Sequence, residues 1–197
     1  MNHDPSSLVV DMLCDKSQEK NIAVAYFYSD FAAREEQSLT NILGSLLKQI
    51  VSGLERIPDE ISQTFQDRKG VINRRLRIPE IVKMLQDATS LLPTFICVDA
   101  VDECKEWHRP IILDSLKQIF ETSSDTRLFL TGRPHIQGEI DRHLSRRAAI
   151  LSIKPNNDDI VGYIRWRLSK DRSPHAAMNS ALEDEIIKTI AENIPET

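Results

Sequence analysis

Three carboxylates fall within five residues directly after an apolar run, where Phe95-Ile96-Cys97-Val98 leads into Asp99-Ala100-Val101-Asp102-Glu103. An aspartate at the end of a buried strand can hold a magnesium ion through water, and a neighbouring carboxylate can orient or polarise an attacking water. The same residues also read as a charged loop capping the next helix. Further on, Leu128-Phe129-Leu130-Thr131 runs into a tight Gly132-Arg133-Pro134 turn. An arginine held there is placed to reach a phosphate, and equally to pair with a surface carboxylate. Ligands of open α/β sheets sit beyond the carboxyl ends of the strands, so two such segments on consecutive strands reinforce each other.

These segments need a sheet to carry them, and the hydrophobic pattern supplies one. Leu8, Val9, Met12 and Leu13 repeat at helical spacing. Ile22-Ala23-Val24-Ala25-Tyr26-Phe27-Tyr28 is a short β-rich run suited to a strand covered on both faces. After Ser38, Leu39, Ile42, Leu43, Leu46, Leu47, Ile50, Val51 and Leu54 form a long helical stripe. Pro58 opens a helix with Ile61 and Phe65 inward, and Pro79 opens another carrying Ile81, Val82 and Leu85. A strand over 94–98 follows, then a helix (Ile112, Leu116, Ile119, Phe120), a strand over 127–131, a helix (Ile136, Ile140, Leu144) and a last strand over 148–153. Strand alternating with helix predicts a parallel sheet with right-handed crossovers. Beyond it, only helices are expected, over 158–170 and 182–194. The expected organisation is an α/β core over 1–154 and the start of a helical domain over 155–197.

Composition narrows the function classes. The chain has 197 residues, 41% hydrophobic and 28% charged, with net charge -5, which argues against a nonspecific grip on nucleic acid or an anionic membrane. Arg74-Arg75-Leu76-Arg77 and the basic cluster from Arg142 to Arg147 lack interleaved aromatics and fit solvated faces. No run reaches the length of a membrane span, and the first residues lack the basic start and apolar core of a signal peptide. Cys14, Cys97 and Cys104 are odd in number and lack metal-ligand spacing, the usage of reduced thiols in an intracellular, cytoplasmic protein. His3, His108, His135, His143 and His175 form no ligand pattern, and Asp30 and Arg34 read as surface charge.

Asp99 to Glu103 after an apolar strand resembles the extended Walker B motif of NACHT-type signal-transduction P-loop NTPases, and Leu130-Thr131-Gly132-Arg133-Pro134 resembles their sensor 1 strand end. Tyr26-Phe27-Tyr28-Ser29-Asp30-Phe31, Gln37-Ser38-Leu39, the long helix and residues 95–104 together resemble the nephrocystin-3-like N-terminal domain of fungal NACHT proteins. The resemblance implies a nucleotide-switch signalling domain of the STAND class that uses ATP or GTP with magnesium. By it, Asp99 is the magnesium-associated residue, Asp102 and Glu103 position or activate water, and Arg133 senses the terminal phosphate. Ala100 stands where many NACHT proteins carry glycine.

The family pattern also requires a strand and G-x-x-x-x-G-K-[ST] ahead of the first helix. Gly44, Gly53, Gly70, Gly132, Gly138 and Gly162 offer no such spacing. Losing those phosphate contacts costs ~5 kcal/mol, about 10³ in affinity. The expectation is a fragment shortened at both ends, its sheet lacking the first strand that the family places between the 127–131 and 148–153 strands. Such a chain does not hold nucleotide tightly and is inactive as an NTPase alone. Its partners are expected to be proteins, including further copies of itself, with no nucleic acid and no membrane; the alternative function is a noncatalytic interaction module that pairs with full-length relatives.

Overall fold

The computed structural model describes residues 5–69, 76–144, 149–153, 157–170 and 180–192. The chain divides into two compact units, Met1–Ala148 and Ala149–Thr197. In the first unit the elements run α1 (Pro5–Glu19), β1 (Ala23–Tyr28), α2 (Leu39–Ser52), α3 (Asp59–Lys69), α4 (Ile78–Thr89), β2 (Thr94–Asp99), α5 (Arg109–Thr122), β3 (Thr126–Leu130) and α6 (Gln137–His143). Short 3-10 turns at Val101–Glu103 and Pro134–Ile136 follow β2 and β3.

Local chemistry sets the main boundaries. Ser38 caps α2, its hydroxyl accepting from the Asn41 N–H at 3.2 Å, and Glu80 reaches back to the Arg77 N–H at 2.7 Å to start α4 beside Pro79. The strands pair in the order β1-β2-β3, all parallel, with Ala25 opposite Ile96 and Ile96 opposite Leu128. Each crossover therefore returns the chain to the same end of the sheet, as the strand and helix alternation requires.

The two faces are covered unequally. Ala23, Ala25, Ile96 and Val98 turn to the side packed by α2, α4 and α5, where Leu43, Leu46, Ile81, Leu85, Ile112 and Leu116 are fully buried. The opposite face, with Val24, Phe95, Cys97 and Phe129, meets α1 through Val10 and Leu13. The stripe expected for α1 is thus shifted: Val10 and Leu13 pack, while Leu8 and Met12 are half exposed. Among the described residues α1 is the helix that meets this face, and Tyr26 and Tyr28 also stay exposed, their rings 5.6 Å apart.

The outer edge of β1 is closed by side chains. The Ala23 N–H donates to Pro93 O and the Ser29 N–H to Asp99 O, so Val24, Tyr26 and Tyr28 point their backbone groups outward. Gln49 of α2 meets Tyr26 there like a strand, its Oε1 accepting the Tyr26 N–H at 3.1 Å and its Nε2 donating to Tyr26 O at 2.8 Å. Gln37 does the same one step on, donating to Tyr28 O at 3.4 Å and accepting the Asp30 N–H at 3.2 Å.

The strand expected over 148–153 is absent from its described part. Residues 149–153 are irregular, and Ile150, Leu151 and Ile153 are 58%, 83% and 71% exposed. A strand needs a neighbour, and among the described residues none offers one beyond β3. The expected basic clusters at 74–75 and 145–147, like Phe65's inward side chain and Ile194, lie outside what is described. The second unit holds α7 (Asn157–Lys170) and α8 (Ser180–Glu192), where Ile164 and Ile187 are buried. No described helix is long and apolar enough to cross a membrane.

Candidate functional site

Register brings the strand-end residues together. Val98 lies opposite Leu130, so one step further Asp99 stands beside Thr131 at the carboxyl edge of the sheet. The Thr131 hydroxyl donates to Asp99 Oδ1 at 2.5 Å and accepts the Ala100 N–H at 2.8 Å. Because its acceptor role is taken by Ala100, its single proton is committed to the carboxylate. The second oxygen of Asp99 has no protein partner among the described residues.

Beyond Asp99 the chain turns sharply. Ala100 is left-handed, φ 50 and ψ 51, a conformation that costs a non-glycine residue about 1 kcal/mol. It is held by its own bond to Thr131 and by the Val101 N–H, which donates to Thr131 O at 2.9 Å while the Val101 side chain is fully buried. The 3-10 turn then presents Asp102 and Glu103 side by side.

Both carboxylates are engaged. Asp102, its side chain 5% exposed, accepts the Arg133 N–H at 3.1 Å and lies 3.5 Å from Arg133 Nε. Glu103 accepts the Phe31 N–H at 3.1 Å and lies 4.0 Å from Arg133 Nη2. Arg133 itself, 72% exposed, folds back over the acidic turn. Gly132 permits a close approach: a Cβ there would lie 2.6 Å from Ile136 Cδ1, so that side chain would have to shift, and 3.3 Å from Asp102 Oδ1.

Arg109 ties the turn to the helices behind it, donating to Glu139 at 3.1 Å and to the carbonyls of Asp102 and Cys104 at 3.5 and 3.4 Å. Cys104 and Ser29 are buried side by side, sulfur to oxygen 3.1 Å. Burial pushes the Cys104 thiol up, against the opposing pull of Ser29 and Arg109. At the rim, Lys105 donates to Glu35 at 2.7 Å and holds that carboxyl below its usual range. Burial, then Lys105, lowers His108.

The four residues singled out in the sequence, Asp99, Asp102, Glu103 and Arg133, thus meet at one sheet edge. Thr131 and Arg109 were not singled out. Thr131 was legible by counting one register step past the paired strands, whereas Arg109 carries no local signal because its partners come from three segments. Asp30 caps the Ala32 N–H at 2.8 Å, and Arg34 stacks 4.2 Å over Phe31, surface roles both. A groove of about 550 Å³ between α3 and α4, lined by Glu60, Ile61, Lys83 and Met84, contains none of the site residues.

Asp99 is the residue that could face a magnesium ion through water, yet among the described residues no group of three His, Cys, Asp or Glu side chains is arranged to hold a metal. Arg133 is turned to Asp102 and Glu103, and these 197 residues carry no glycine-rich phosphate loop. The residues present therefore do not fit a bound nucleoside triphosphate.

A family model described as Nephrocystin 3, N-terminal, matches residues 6–133, a stretch that opens in α1 and closes on Arg133. No curated protein matches. Among solved structures the chain is similar to a Walker-type ATPase of Pyrococcus abyssi, at 12% identity and a TM-score of 0.40, over 92% of this chain and 61% of that one. The chain spans about three fifths of the length of that ATPase.

Proposed function

Since the chain belongs to the nephrocystin-3 N-terminal family, we propose that it carries the acidic and sensor segments of a NACHT-type nucleotide-switch signalling core of the STAND class. In this reading residues 1–154 belong to the α/β core and residues 155–197 begin a helical domain. Asp99 is the carboxylate that serves magnesium, Asp102 and Glu103 are the pair that handles water, and Arg133 is the phosphate sensor. The 197 residues alone do not hold ATP or GTP and do not hydrolyse it. The protein acts inside the cell on protein partners rather than on nucleic acid or membrane.

One observation carries the reading: at the sheet's carboxyl edge a threonine fixes a strand-end carboxylate, and the only arginine of the next turn is drawn over the two carboxylates that follow. A charged loop built merely to cap α5 would turn its acids toward the N–H groups of that helix. Here they turn to Arg133 and Phe31 instead.

Calorimetric titration with magnesium-ATP and magnesium-GTP tests the reading. The expected result is no binding tighter than roughly millimolar, by the contact loss of a missing phosphate loop. A version extended ahead of Ser6 by a strand and a glycine-rich loop with its lysine is expected to bind in a magnesium-dependent manner, and Asp99→Asn to weaken that binding. Micromolar binding by the unextended chain would mean that another segment cradles phosphate; extension without any gain would favour the noncatalytic interaction module.

A further inference from the structure

The acidic turn after β2 and the arginine turn after β3 are joined twice. In front, Arg133 lies 3.5 Å from Asp102 and 4.0 Å from Glu103, from a side chain that is 72% exposed. Ion pairs so open to water hold little. Behind, the Arg109 side chain is 14% exposed and that of Glu139 19%. Arg109 is the first residue of α5, its own N–H donating to Lys105 O at 3.2 Å. Its guanidinium gives Nε to Glu139 at 3.1 Å and Nη1 to the carbonyls of Asp102 and Cys104, the two that bracket Glu103. Glu139 stands in the first turn of α6, which starts directly after the 3-10 turn that follows Arg133. Ile136 is buried in the core and Ile140 packs against it, so α6 and the arginine turn are anchored together. One planar fork therefore spans from the backbone of the acidic turn to the helix behind the arginine turn.

We propose that Arg109, backed by Glu139, is a positioning residue that keeps the two turns at fixed spacing while Arg133 leaves Asp102 and Glu103 for a phosphate-bearing ligand. The ligand rests on the nucleotide reading given above; the brace is a property of the two turns themselves. A residue that both senses a ligand and cements its own site loosens that site whenever it moves. Here the tasks are divided, with the exposed arginine free to swing and the sheltered one committed to three acceptors. A pair serving only to join α5 to α6 has no use for the Asp102 and Cys104 carbonyls.

Amide exchange followed by NMR on the 197-residue chain, with no nucleotide present, tests the brace. The Val101 N–H, on a fully buried residue, donates to Thr131 O at 2.9 Å and so crosses between the two segments. The Ser29 N–H, which donates to Asp99 O at 3.1 Å, serves as the reference on the other side of β2. Arg133→Ala is expected to change Val101 exchange by less than about 3-fold. Arg109→Lys keeps a charge beside Glu139 but not the fork, and is expected to speed Val101 exchange roughly tenfold while Ser29 exchange and the urea midpoint stay near those of the unaltered chain. The two substitutions together are expected to exceed the product of their separate effects. If Arg109→Lys leaves Val101 unchanged, or moves Val101, Ser29 and the midpoint in step, Arg109 only stabilises the fold and the proposal is overturned. It is equally overturned if Arg133→Ala alone frees Val101 as much as Arg109→Lys does. Failure of the nucleotide reading appears instead in the calorimetry described above, so the two failures are told apart.

Discussion

The two faces of the sheet are built for different purposes. On one, α2, α4 and α5 bury Ile42, Leu43, Leu46, Ile81, Leu85, Ile112 and Leu116 to near zero exposure, and Ile96 and Val98 press into them. On the other, among the described residues of the first unit, α1 rests on Phe95, Cys97 and Phe129, and Leu8, Met12, Tyr26 and Tyr28 are exposed. Alternation along the strands puts Tyr28, Asp99 and Thr131 on that second, thinly covered side. Cohesion is concentrated where no chemistry stands, and the residues that could do chemistry occupy the side whose cover is easiest to lift.

The sharpest way to break this comparison is to hollow out the sealed side. Ile96→Ala removes a fully buried side chain and is expected to cost about 2 to 5 kcal/mol, read by urea unfolding. A loss below ~1 kcal/mol would show that the sealed side is not the seat of stability. Thr131→Val comes next. It takes a donor from Asp99 and an acceptor from the Ala100 N–H, and is expected to cost about 1 to 2 kcal/mol, with Thr131→Ser recovering most of it.

The smallest effect belongs to α1. Met12→Ala is expected to change global stability by less than ~1 kcal/mol. It should nonetheless speed alkylation of Cys97, which lies under α1 and whose thiol burial pushes up to about 11. The unfolded chain releases that proton first, near the ordinary value of 9.0, so stability should hold below pH 9 and fall as pH rises toward 11. Cys97→Val should flatten that decline. If Cys97 reacts no faster than the most protected amides exchange, α1 opens only with the whole domain and the contrast between faces fails.

Much of this was legible in the residues. Ser38 and the leucine stripe behind it mark α2, and the unalternating apolar runs mark β2 and β3 as parallel strands, because burial on both faces leaves no polar positions to write. Asp99, Asp102, Glu103 and Arg133 were legible as neighbours, since parallel crossovers return every strand end to one edge. Which way those side chains would turn was not. Arg133 turns back onto the acidic turn beyond Gly132, which lies close against Ile136, and Arg109, from the next helix, reaches the Asp102 carbonyl. The 148–153 run misleads because its composition reads as strand, while pairing is decided by a neighbour that local sequence does not contain. For α1, periodicity found the helix and set Val9 and Leu13 inward as the structure has them, but also Leu8 and Met12, which are half exposed, as the pattern is silent on how much sheet awaits it.

Ala100 separates a family trait from a local cost. Its left-handed backbone explains why glycine suits this position, and the bonds that its own N–H and that of Val101 make to Thr131 show how alanine is tolerated.

The glutamine closure of β1 bears on growth rather than on folding. A sheet with two open edges is a bifunctional monomer, and units that join at both ends polymerise without limit into fibres. Gln49 takes the N–H and C=O of Tyr26, and Gln37 the Tyr28 C=O and the Asp30 N–H, so this edge offers an incoming strand few backbone partners. Two side-chain amides thereby act as a chain terminator on that side of the sheet.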